Sequence, residues 1–600
     1  MPISAAASPI VAAAGGSFLV ESRTPDEIFT PEDLSEEQRQ IAATAERFAR
    51  EEILPRVAAI ERKEPGAMPA MLRKAAELGF TAVDVPEEYG GLGMDKVSST
   101  LITDHISVLA SFSTAFGAHI GIATLPLVWY GTEEQKRRYL PKLASCEWIG
   151  AYGLSEASSG SDAMNIRTRA TLTADGSHYI LNGEKQWLTN CGTAGLYTVF
   201  AKIDGEKFSA FLIERGTPGL TVGAEEHKLG IRGSSTCPLV LQDCRIPAGN
   251  LLGEAGKGHH IAFNVLNVGR FKLGVACVGG ARHALAAMIR YAKERRAFGK
   301  SIAEFGLIQR KISSAAAQLY AAESMVYRTA GLIDAKLAGP GGEGAAQRVD
   351  VPRSIEEYAV ECSILKVYCS EMLTLVADEQ IATMGGYGYV EEYPAERTYR
   401  DARINRIFEG TNEINRLIIT GWMMKRAMSG KLPLLGAIKR VMDEVTEPPA
   451  FGGDADAGET LAREAAALAA VKKMTLFAAG VASQRFMTAL EEQQEIMADL
   501  ADMISQVYAF ESALVRARKL ARAGRGSGAV AAAMTGLLAE ETMALAERAA
   551  RRVLAACGEG DALNTQLSIL RRLTRSSPAD AVALSRAVAR QCIDLERYPV

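Results

Sequence analysis

The sequence predicts an α+β protein that is mostly helical, with helical domains on either side of a middle β domain. Three observations predict this fold class. Apolar residues recur at helical spacing over residues 35–146 and again from about 259 to 428. Between about 150 and 250, runs of β-branched and aromatic residues separated by turn residues replace that period. The 600 residues also exceed what one core can organise, so about three or four domains are expected.

Composition excludes several classes of protein. With 48% hydrophobic and 23% charged residues, the chain is globular rather than disordered. A net charge of −4 argues against a nucleic-acid partner. The nine cysteines include no CxxC pair and no cluster with histidine, which predicts reduced thiols and no metal site. No apolar run is expected to reach the ~18 residues that cross a bilayer.

The N-terminal segment predicts neither a leader peptide nor a folded element. Residues 1–16 are rich in alanine and contain no basic residue, so a secretory signal and a mitochondrial presequence are both unexpected. We expect residues 1–34 to form a disordered tail and the protein to work in a bacterial cytoplasm.

The first helical domain is expected over residues 35–148. Ile41, Ala45 and Phe48 recur on one helical face. Residues 114–120 form an apolar stretch with small side chains, which is typical of a buried helix. These small residues allow either close helix packing or room for the tail of a long ligand, and the sequence alone leaves both open.

A β domain is expected over residues 149–257. Asn182-Gly183 lies between two strand-like runs and predicts a hairpin there.

The remaining chain predicts two helical regions, at 258–428 and 455–600. Residues 337–350 and 447–454 are rich in glycine or proline and predict flexible connections.

Candidate chemistry centres on residues 406–414. Glu409 lies between apolar residues and a glycine, directly before an amphipathic helix that Thr411 can cap and whose dipole Glu413 complements. A carboxylate held beside apolar walls is desolvated, and its pKa rises toward that of a general base. The alternative from this segment alone is an ordinary solvated loop glutamate.

Four further segments contain ligand-binding residue types, at 152–162, 187–190, 295–300 and 384–389. The first is a turn rich in glycine and hydroxyl groups whose backbone N–H groups can meet a ligand. The second offers an indole to cover a planar ring. The third combines arginine and phenylalanine after a helix, and the fourth is a glycine-rich loop. Taken singly, each segment is more often structural.

Together, and followed by the Glu409 segment, these segments resemble the acyl-CoA dehydrogenase family over residues 35–428. The length, residues 305–309 and the extension past 450 resemble its bacterial long-chain and very-long-chain branch. The resemblance implies an N-terminal helical domain, a middle β-barrel-like domain, a C-terminal four-helix bundle and an additional C-terminal helical domain. The most specific matches are Leu154-Ser155-Glu156 with Gly160-Ser161-Asp162, Trp187-Leu188-Thr189-Asn190, Arg295-x-x-Phe298-Gly299, and Arg400-Asp401 with Phe408-Glu409-Gly410-Thr411.

The resemblance also implies an activity. An FAD enzyme of this family desaturates a fatty acyl-CoA to the trans-2-enoyl-CoA in β-oxidation and passes electrons to electron-transfer flavoprotein. Glu409 would remove the α-proton while a β-hydride passes to the flavin, and its backbone N–H would help to polarise the thioester carbonyl. Some members place the base at the position of Gly269, which cannot act, so Glu409 alone is the expected catalytic residue.

Binding residues follow from the same resemblance. Medium-chain members close the acyl pocket with large polar side chains where Thr114 and Ala118 stand here, so a long acyl chain is expected. Ala382 stands where the family usually has a glutamine that contacts FAD. The FAD contacts expected within one subunit are Tyr152, Leu154, Ser155, Gly160, Ser161, Trp187, Thr189, Thr411 and Glu413. The contacts expected to reach the FAD of a neighbouring subunit, which make a homodimer the smallest working unit, are Arg295, Phe298, Gly385 and Gly386. The expected substrate contacts are Ser161, Arg270, Gly410, Thr114 and Ala118.

Three alternatives stay open. A basic stretch between Arg516 and Arg525 could touch a membrane surface, or it could be a solvated face beside a packing interface. An oxidase that delivers electrons to oxygen would share this architecture, although the sequence around Glu409 is closer to dehydrogenases. A scaffold that keeps the fold without catalysis is a third reading, against which an intact Glu409 argues.

Overall fold

The computed structural model describes residues 12–339, 350–446 and 460–600. The predicted connections at 337–350 and 447–454, together with residues 1–11 of the predicted tail, lie largely or wholly outside these residues. Where the structure describes the chain, helices come first, then a sheet, then two further groups of helices. The predicted fold class is confirmed.

The N-terminal domain consists of short helices around an aromatic core. Ser35 begins the first of them, because its Oγ accepts a hydrogen bond from Gln38 N while its own backbone N–H donates to Gln38 Oε1. Phe48, Phe112 and Phe116 lie in the centre of the domain. The helices are α1 Glu36–Phe48, α2 Val57–Glu61, α3 Ala67–Glu77, α4 Lys96–Ile106, α5 Ala110–Gly117, α6 Leu125–Tyr130 and α7 Glu133–Ala144.

The middle domain is one mixed sheet of eight strands. In spatial order its strands are β6-β7-β3-β2-β4-β5-β8, and β1 pairs in parallel with β4. Tyr197, Phe211 and Leu239 lie in its buried core. The strands are β1 Gly150–Gly153, β2 Arg169–Leu172, β3 His178–Thr189, β4 Leu196–Ile203, β5 Lys207–Glu214, β6 Leu220–Val222, β7 Thr236–Pro247 and β8 Leu251–Leu252.

The hairpin predicted at Asn182-Gly183 is wrong. β3 runs through these residues without a turn and pairs antiparallel with β7, with a register shift between Leu181 and Gly183. A Cβ on Gly183 would lie 2.5 Å from Thr168 Oγ1. Glycine is therefore required there by close packing across the sheet, not by a turn.

A bundle of long helices follows the sheet. Its four main helices are α8 Gly258–Glu294, α9 Gly306–Ala338, α11 Ala359–Met384 and α13 Asn412–Met428. Their interior side chains join one apolar core. The shorter elements between them are β9 Arg296–Ala297, β10 Lys300–Ser301, α10 Val351–Glu356 and α12 Pro394–Ala402, and α14 Leu434–Thr446 follows the last of them.

An additional helical domain completes the described chain. It packs on the bundle mainly through α16, which contacts α9 and α13. Its helices are α15 Ala462–Phe486, α16 Gln494–Arg522, α17 Gly528–Cys557, α18 Gly560–Leu573 and α19 Ala581–Leu595.

Residues 12–34, here called the N-terminal strap, do not form the predicted tail. Phe18 and Leu19 are buried between the bundle and the additional domain. The backbone N–H of Gly16 donates to Glu361 Oε1 of α11 at 2.7 Å, and Tyr358 Oη donates to the Ala13 carbonyl at 3.0 Å. The strap escapes prediction because its short turns show no helical or strand period.

The basic stretch of α16 faces the strap. Arg516 is 1% exposed and bonds Glu32 Oε1 at 2.8 Å and Glu323 Oε2 at 2.6 Å. Lys519 pairs with Asp33 of the strap. The stretch therefore forms a packing interface at these two positions, whereas Arg522 and Arg525 are exposed, and membrane contact stays a prediction.

Long apolar helices are present after all. In the described residues, four helical stretches are long and apolar enough to cross a membrane by length and composition, which corrects the expectation above. In each of them, 50% to 72% of the most apolar window is buried inside the protein. Their apolarity is explained by packing against neighbouring helices. The stretches are Ala110–Tyr130, Gly258–Glu294, Ala462–Glu492 and Gly528–Cys557.

Candidate active site

Glu409 lies in a strained loop directly before α13. Its φ of 59° is in the left-handed region, and Gly410 follows with a φ of 80°. Thr411 caps the helix, because its Oγ1 accepts from Ile414 N at 3.2 Å, as predicted. A non-glycine residue in this conformation costs free energy, so the surrounding contacts must hold it there.

The carboxyl group of Glu409 is desolvated. Its Oε2 is buried and has no hydrogen-bond partner among the described residues. Burial raises the pKa of Glu409 to about 7, while the nearby cations Arg270 and Lys366 oppose that rise. The alternative of a solvated loop glutamate is therefore wrong, and the group has the properties of a general base near neutral pH.

Gly269 of α8 faces this carboxyl group. A Cβ on Gly269 would lie 2.4 Å from Glu409 Oε2. The position where some relatives are expected to place a base is thus next to the carboxylate, and any side chain there would collide with Glu409.

Two buried side chains hold the carbonyl groups of the loop. Arg270 Nε donates to the Glu409 carbonyl at 3.3 Å. Asn415 Nδ2 contacts the carbonyls of Gly410 and Thr411, each at 3.0 Å. Arg270 was predicted as a substrate contact, whereas the sequence reasoning missed Asn415. Its signal is a polar residue that lies on the buried side of an amphipathic helix.

The β domain presents a second group of predicted residues. Ser155 O accepts a hydrogen bond from Gln186 N at 2.9 Å, which joins the first turn to β3. The fully buried Lys185 reinforces this junction, since its Nζ donates to Leu154 O at 3.2 Å and to Glu156 Oε1 at 2.7 Å. Lys185 and Glu156 were not predicted as site residues.

The indole of Trp187 is unusually open. Trp187 is 58% exposed and has a φ of 58° at the register shift between Lys185 and Leu188. It is therefore not an ordinary buried strand tryptophan. An exposed indole beside a tethered turn suits a planar aromatic ligand. The hydroxyl-bearing residues Ser155 and Thr189 are also partly exposed. Tyr152 Oη, by contrast, is buried without a described partner.

The other predicted cofactor residues are spread over three places in the fold. Gly160 and Ser161 are exposed in the first turn. Arg295, Gly385 and Gly386 line one cavity of about 560 Å³. Arg295 follows the end of α8, 26 residues after Gly269, which corresponds to about 39 Å along a helix. Phe298 is 95% exposed in the adjoining turn, and Glu413 lies in the first turn of α13.

Free volume lies beside the predicted acyl-pocket helix. Thr114 belongs to α5, and Ala118 begins a π-helical turn at Ala118–Ala123. Gly121 is buried, yet a Cβ there would meet only Lys272 Cδ, at 3.9 Å. A Cβ on Gly117 would meet nothing within 4 Å. At these two glycines, free volume fits better than tight packing, whereas the neighbouring Ala115 and Phe116 are packed in the core of the domain.

Comparison with protein families matches most of the chain. Models described as the N-terminal, middle and C-terminal domains of acyl-CoA dehydrogenase match residues 35–147, 151–244 and 256–424. A further model, also described as an acyl-CoA dehydrogenase C-terminal domain, matches residues 470–572.

Individual relatives agree with the family models. A probable acyl-CoA dehydrogenase of Bacillus subtilis is 45% identical over 98% of this chain and 98% of its own length. The human mitochondrial short-chain specific acyl-CoA dehydrogenase is 37% identical over 66% of this chain and 92% of its own. A crystal structure of acyl-CoA dehydrogenase complexed with FAD from Bacillus anthracis matches with a TM-score of 0.95 and 46% identity, covering 98% of this chain and 100% of the other.

Proposed function

Since the chain belongs to the acyl-CoA dehydrogenase family, we propose that it oxidises long-chain fatty acyl-CoA to trans-2-enoyl-CoA in fatty-acid β-oxidation. The chain is an enzyme of this family, an oxidoreductase with FAD as its cofactor and an acyl-CoA as its substrate. The proposal adds the acyl chain length, the pathway and the electron acceptor, electron-transfer flavoprotein. It also includes a homodimer and a bacterial cytoplasmic location.

The observation that carries the proposed mechanism is the buried Glu409 carboxyl group. The α-proton of a thioester is weakly acidic, so its removal needs a base that is desolvated and whose pKa is close to 7. Glu409 Oε2 meets both conditions, and Arg270 holds the carbonyl of the same residue. The backbone N–H of Glu409 would orient the thioester carbonyl and stabilise the charge that develops on it.

The residues around Trp187 fit the cofactor. The exposed indole and the partly exposed hydroxyl groups of Ser155 and Thr189 would hold a flavin ring between them. Lys185 keeps the Ser155 turn against β3. Bound FAD supplies the acceptor for the β-hydride, while Glu409 takes the α-proton.

Activity is expected to rise with pH through about 7. Burial raises the pKa of Glu409 to about 7, so the neutral acid predominates below that value and cannot accept a proton. The value of kcat/KM should fall by about tenfold for each pH unit below 6 and level off above 8. Steady-state assays between pH 5 and 9 measure this profile. A flat profile across that range would contradict the assignment of the base.

Long acyl chains are supported by the space beside Gly117 and Gly121, in the same helical segment as Thr114 and Ala118. Each methylene group that enters an apolar pocket gains about 0.8 kcal/mol, or about fourfold in kcat/KM. We expect kcat/KM to rise from butyryl-CoA to palmitoyl-CoA. In an Ala118→Leu variant the optimum should move to shorter chains, because the added side chain fills the pocket, while activity on butyryl-CoA should persist.

A series of acyl-CoAs from C4 to C20, assayed with the parent and with Ala118→Leu, decides the chain length. The chain is also similar to a short-chain specific acyl-CoA dehydrogenase, so an optimum at short acyl chains is the main alternative. An optimum at C4–C6 in the parent would exclude the long-chain proposal and leave the rest of the mechanism intact.

The homodimer is supported by the position of Arg295. A site about 39 Å along α8 from Gly269 is too far from Glu409 to contact the same flavin ring. The cavity that Arg295 lines with Gly385 and Gly386 is bordered by Tyr387, which is 46% exposed, and Phe298 is 95% exposed nearby. Exposed aromatic residues around a cavity favour an interface with a second copy that shares its cofactor.

Electron-transfer flavoprotein is proposed as the acceptor because the Glu409 segment resembles dehydrogenases. The oxidase alternative makes a different prediction, since it would consume oxygen with acyl-CoA when no acceptor is added. The scaffold alternative is not retained, because the chain is an enzyme.

A further inference from the structure

A buried lysine lies behind the loop that carries the base. Lys366 of α11 is 0% exposed, and its Nζ donates to Asn412 Oδ1 at 2.6 Å. Among the residues that the structure describes, no carboxylate lies within ion-pair distance of Lys366. A buried cation with only a neutral acceptor is costly, so its retention needs a reason.

Asn412 connects this lysine to the base. It is the first residue of α13, three positions after Glu409. Its Nδ2 donates to Ser370 Oγ at 3.1 Å and to Glu371 Oε1 at 2.9 Å. Lys366 and Ser370 are one turn apart on α11, so both form hydrogen bonds with the Asn412 side chain from the same helix face. The first turn of α13, and with it the Glu409 loop, is thus fixed to α11.

The charges around the base complete the argument. Three ionisable groups face the Glu409 carboxyl group, namely Arg270 of α8, Lys366 of α11 and Tyr152 of β1. Both cations favour the ionised carboxylate, whereas burial favours the neutral acid. Arg270 donates to Asn267 Oδ1 at 3.0 Å and to the Glu409 carbonyl, but to no carboxylate in the described chain. The two cations are therefore the positive charges that act on Glu409, although neither forms an ion pair with its carboxyl oxygens in the described chain. Burial lowers the pKa of Lys366 to about 8, so its charge is present below that pH.

We propose that Lys366 is a positioning residue for the catalytic base, which anchors the start of α13 through Asn412 and supplies a positive charge that keeps Glu409 ionised in a dry site. This inference rests on the proposed role of Glu409. It assigns to Lys366 a function that depends on its charge as well as its hydrogen bond.

The test compares three variants with the parent. In Lys366→Met and Lys366→Gln, the acid limb of the kcat/KM profile should move up by about one pH unit, because a counter-charge is lost. Activity at pH 6 should fall by about tenfold more than activity at pH 9. Lys366→Arg should return the limb toward the parent value. Flavin absorbance and circular dichroism confirm that each variant is folded and loaded.

A matched control shows whether the shift of the acid limb comes from losing the charge near Glu409 or from removing any buried lysine. Lys472 of α15 is 8% exposed and bonds Glu511 Oε1 at 2.6 Å, within the additional domain. Lys472→Met should lower stability without moving the acid limb. A folded, FAD-loaded Lys366→Gln with the parent profile would overturn the proposal. Failure of the base assignment itself is recognised separately, because a Glu409→Gln variant would then stay active.

Discussion

Glu409→Gln is expected to lower the rate of acyl-CoA oxidation by about 10⁴-fold, with FAD still bound. Glutamine fills the same volume beside Gly269 and leaves the carbonyl contact with Arg270 in place, but it cannot accept a proton. Rapid mixing with palmitoyl-CoA under anaerobic conditions, followed by the loss of flavin absorbance, measures the step directly. A variant that is yellow and bleaches at the parent rate would refute the mechanism.

A second substitution turns this loss into a positional test. A Cβ on Gly269 would lie 2.4 Å from Glu409 Oε2, so side chains at the two positions would occupy the same space. The double variant Glu409→Gly with Gly269→Glu should therefore recover about 10²-fold of the lost rate. Gly269→Glu alone should disturb the site, because two carboxylates would then crowd one dry pocket.

Arg516→Met is expected to destabilise the protein by about 3–5 kcal/mol. The substitution removes the guanidinium that bonds both Glu32 and Glu323; Glu323 keeps its ion pair with Arg282, whereas Glu32 loses its cation in a mostly buried position. The strap and the additional domain should loosen together, which lowers the chemical-denaturation midpoint followed by circular dichroism. Arg522→Met on the same helix is the matched control.

Arg522 pairs with Asp26 at 3.5 Å, and both side chains are mostly exposed. Its loss should change stability by no more than about 0.5 kcal/mol. If Arg516→Met and Arg522→Met shift the midpoint equally, the buried network does not hold the strap.

Local patterns predicted much of this molecule. The order of helices and strands follows from hydrophobic period, and the start of α13 follows from Thr411, because caps are set by neighbours in sequence. The residues around Glu409 left a solvated loop glutamate open, and the resemblance of residues 35–428 to a known family singled it out as the base. The burial of its carboxyl group depends on α8 and α11, which are distant in sequence, so the segment alone could not establish it.

Features that depend on distant residues were missed. Asn182-Gly183 looks like a turn until Thr168 is known to pack against the glycine. Glu32 of the strap and Arg516 of α16 pair with each other although they are 484 positions apart in sequence. Neither segment alone therefore indicates a buried contact. Lys366 and Asn412 are likewise joined only by tertiary packing.

The pairing of Glu32 with Arg516 has a consequence for synthesis on the ribosome. Translation proceeds at about 5–20 residues per second. The strap is therefore made roughly half a minute or more before Arg516, whose guanidinium neutralises Glu32. During that interval Phe18 and Leu19 have no cover from α16. The nascent chain should therefore leave these two side chains uncovered until α16 has been made, and pausing before residue 522 should favour aggregation.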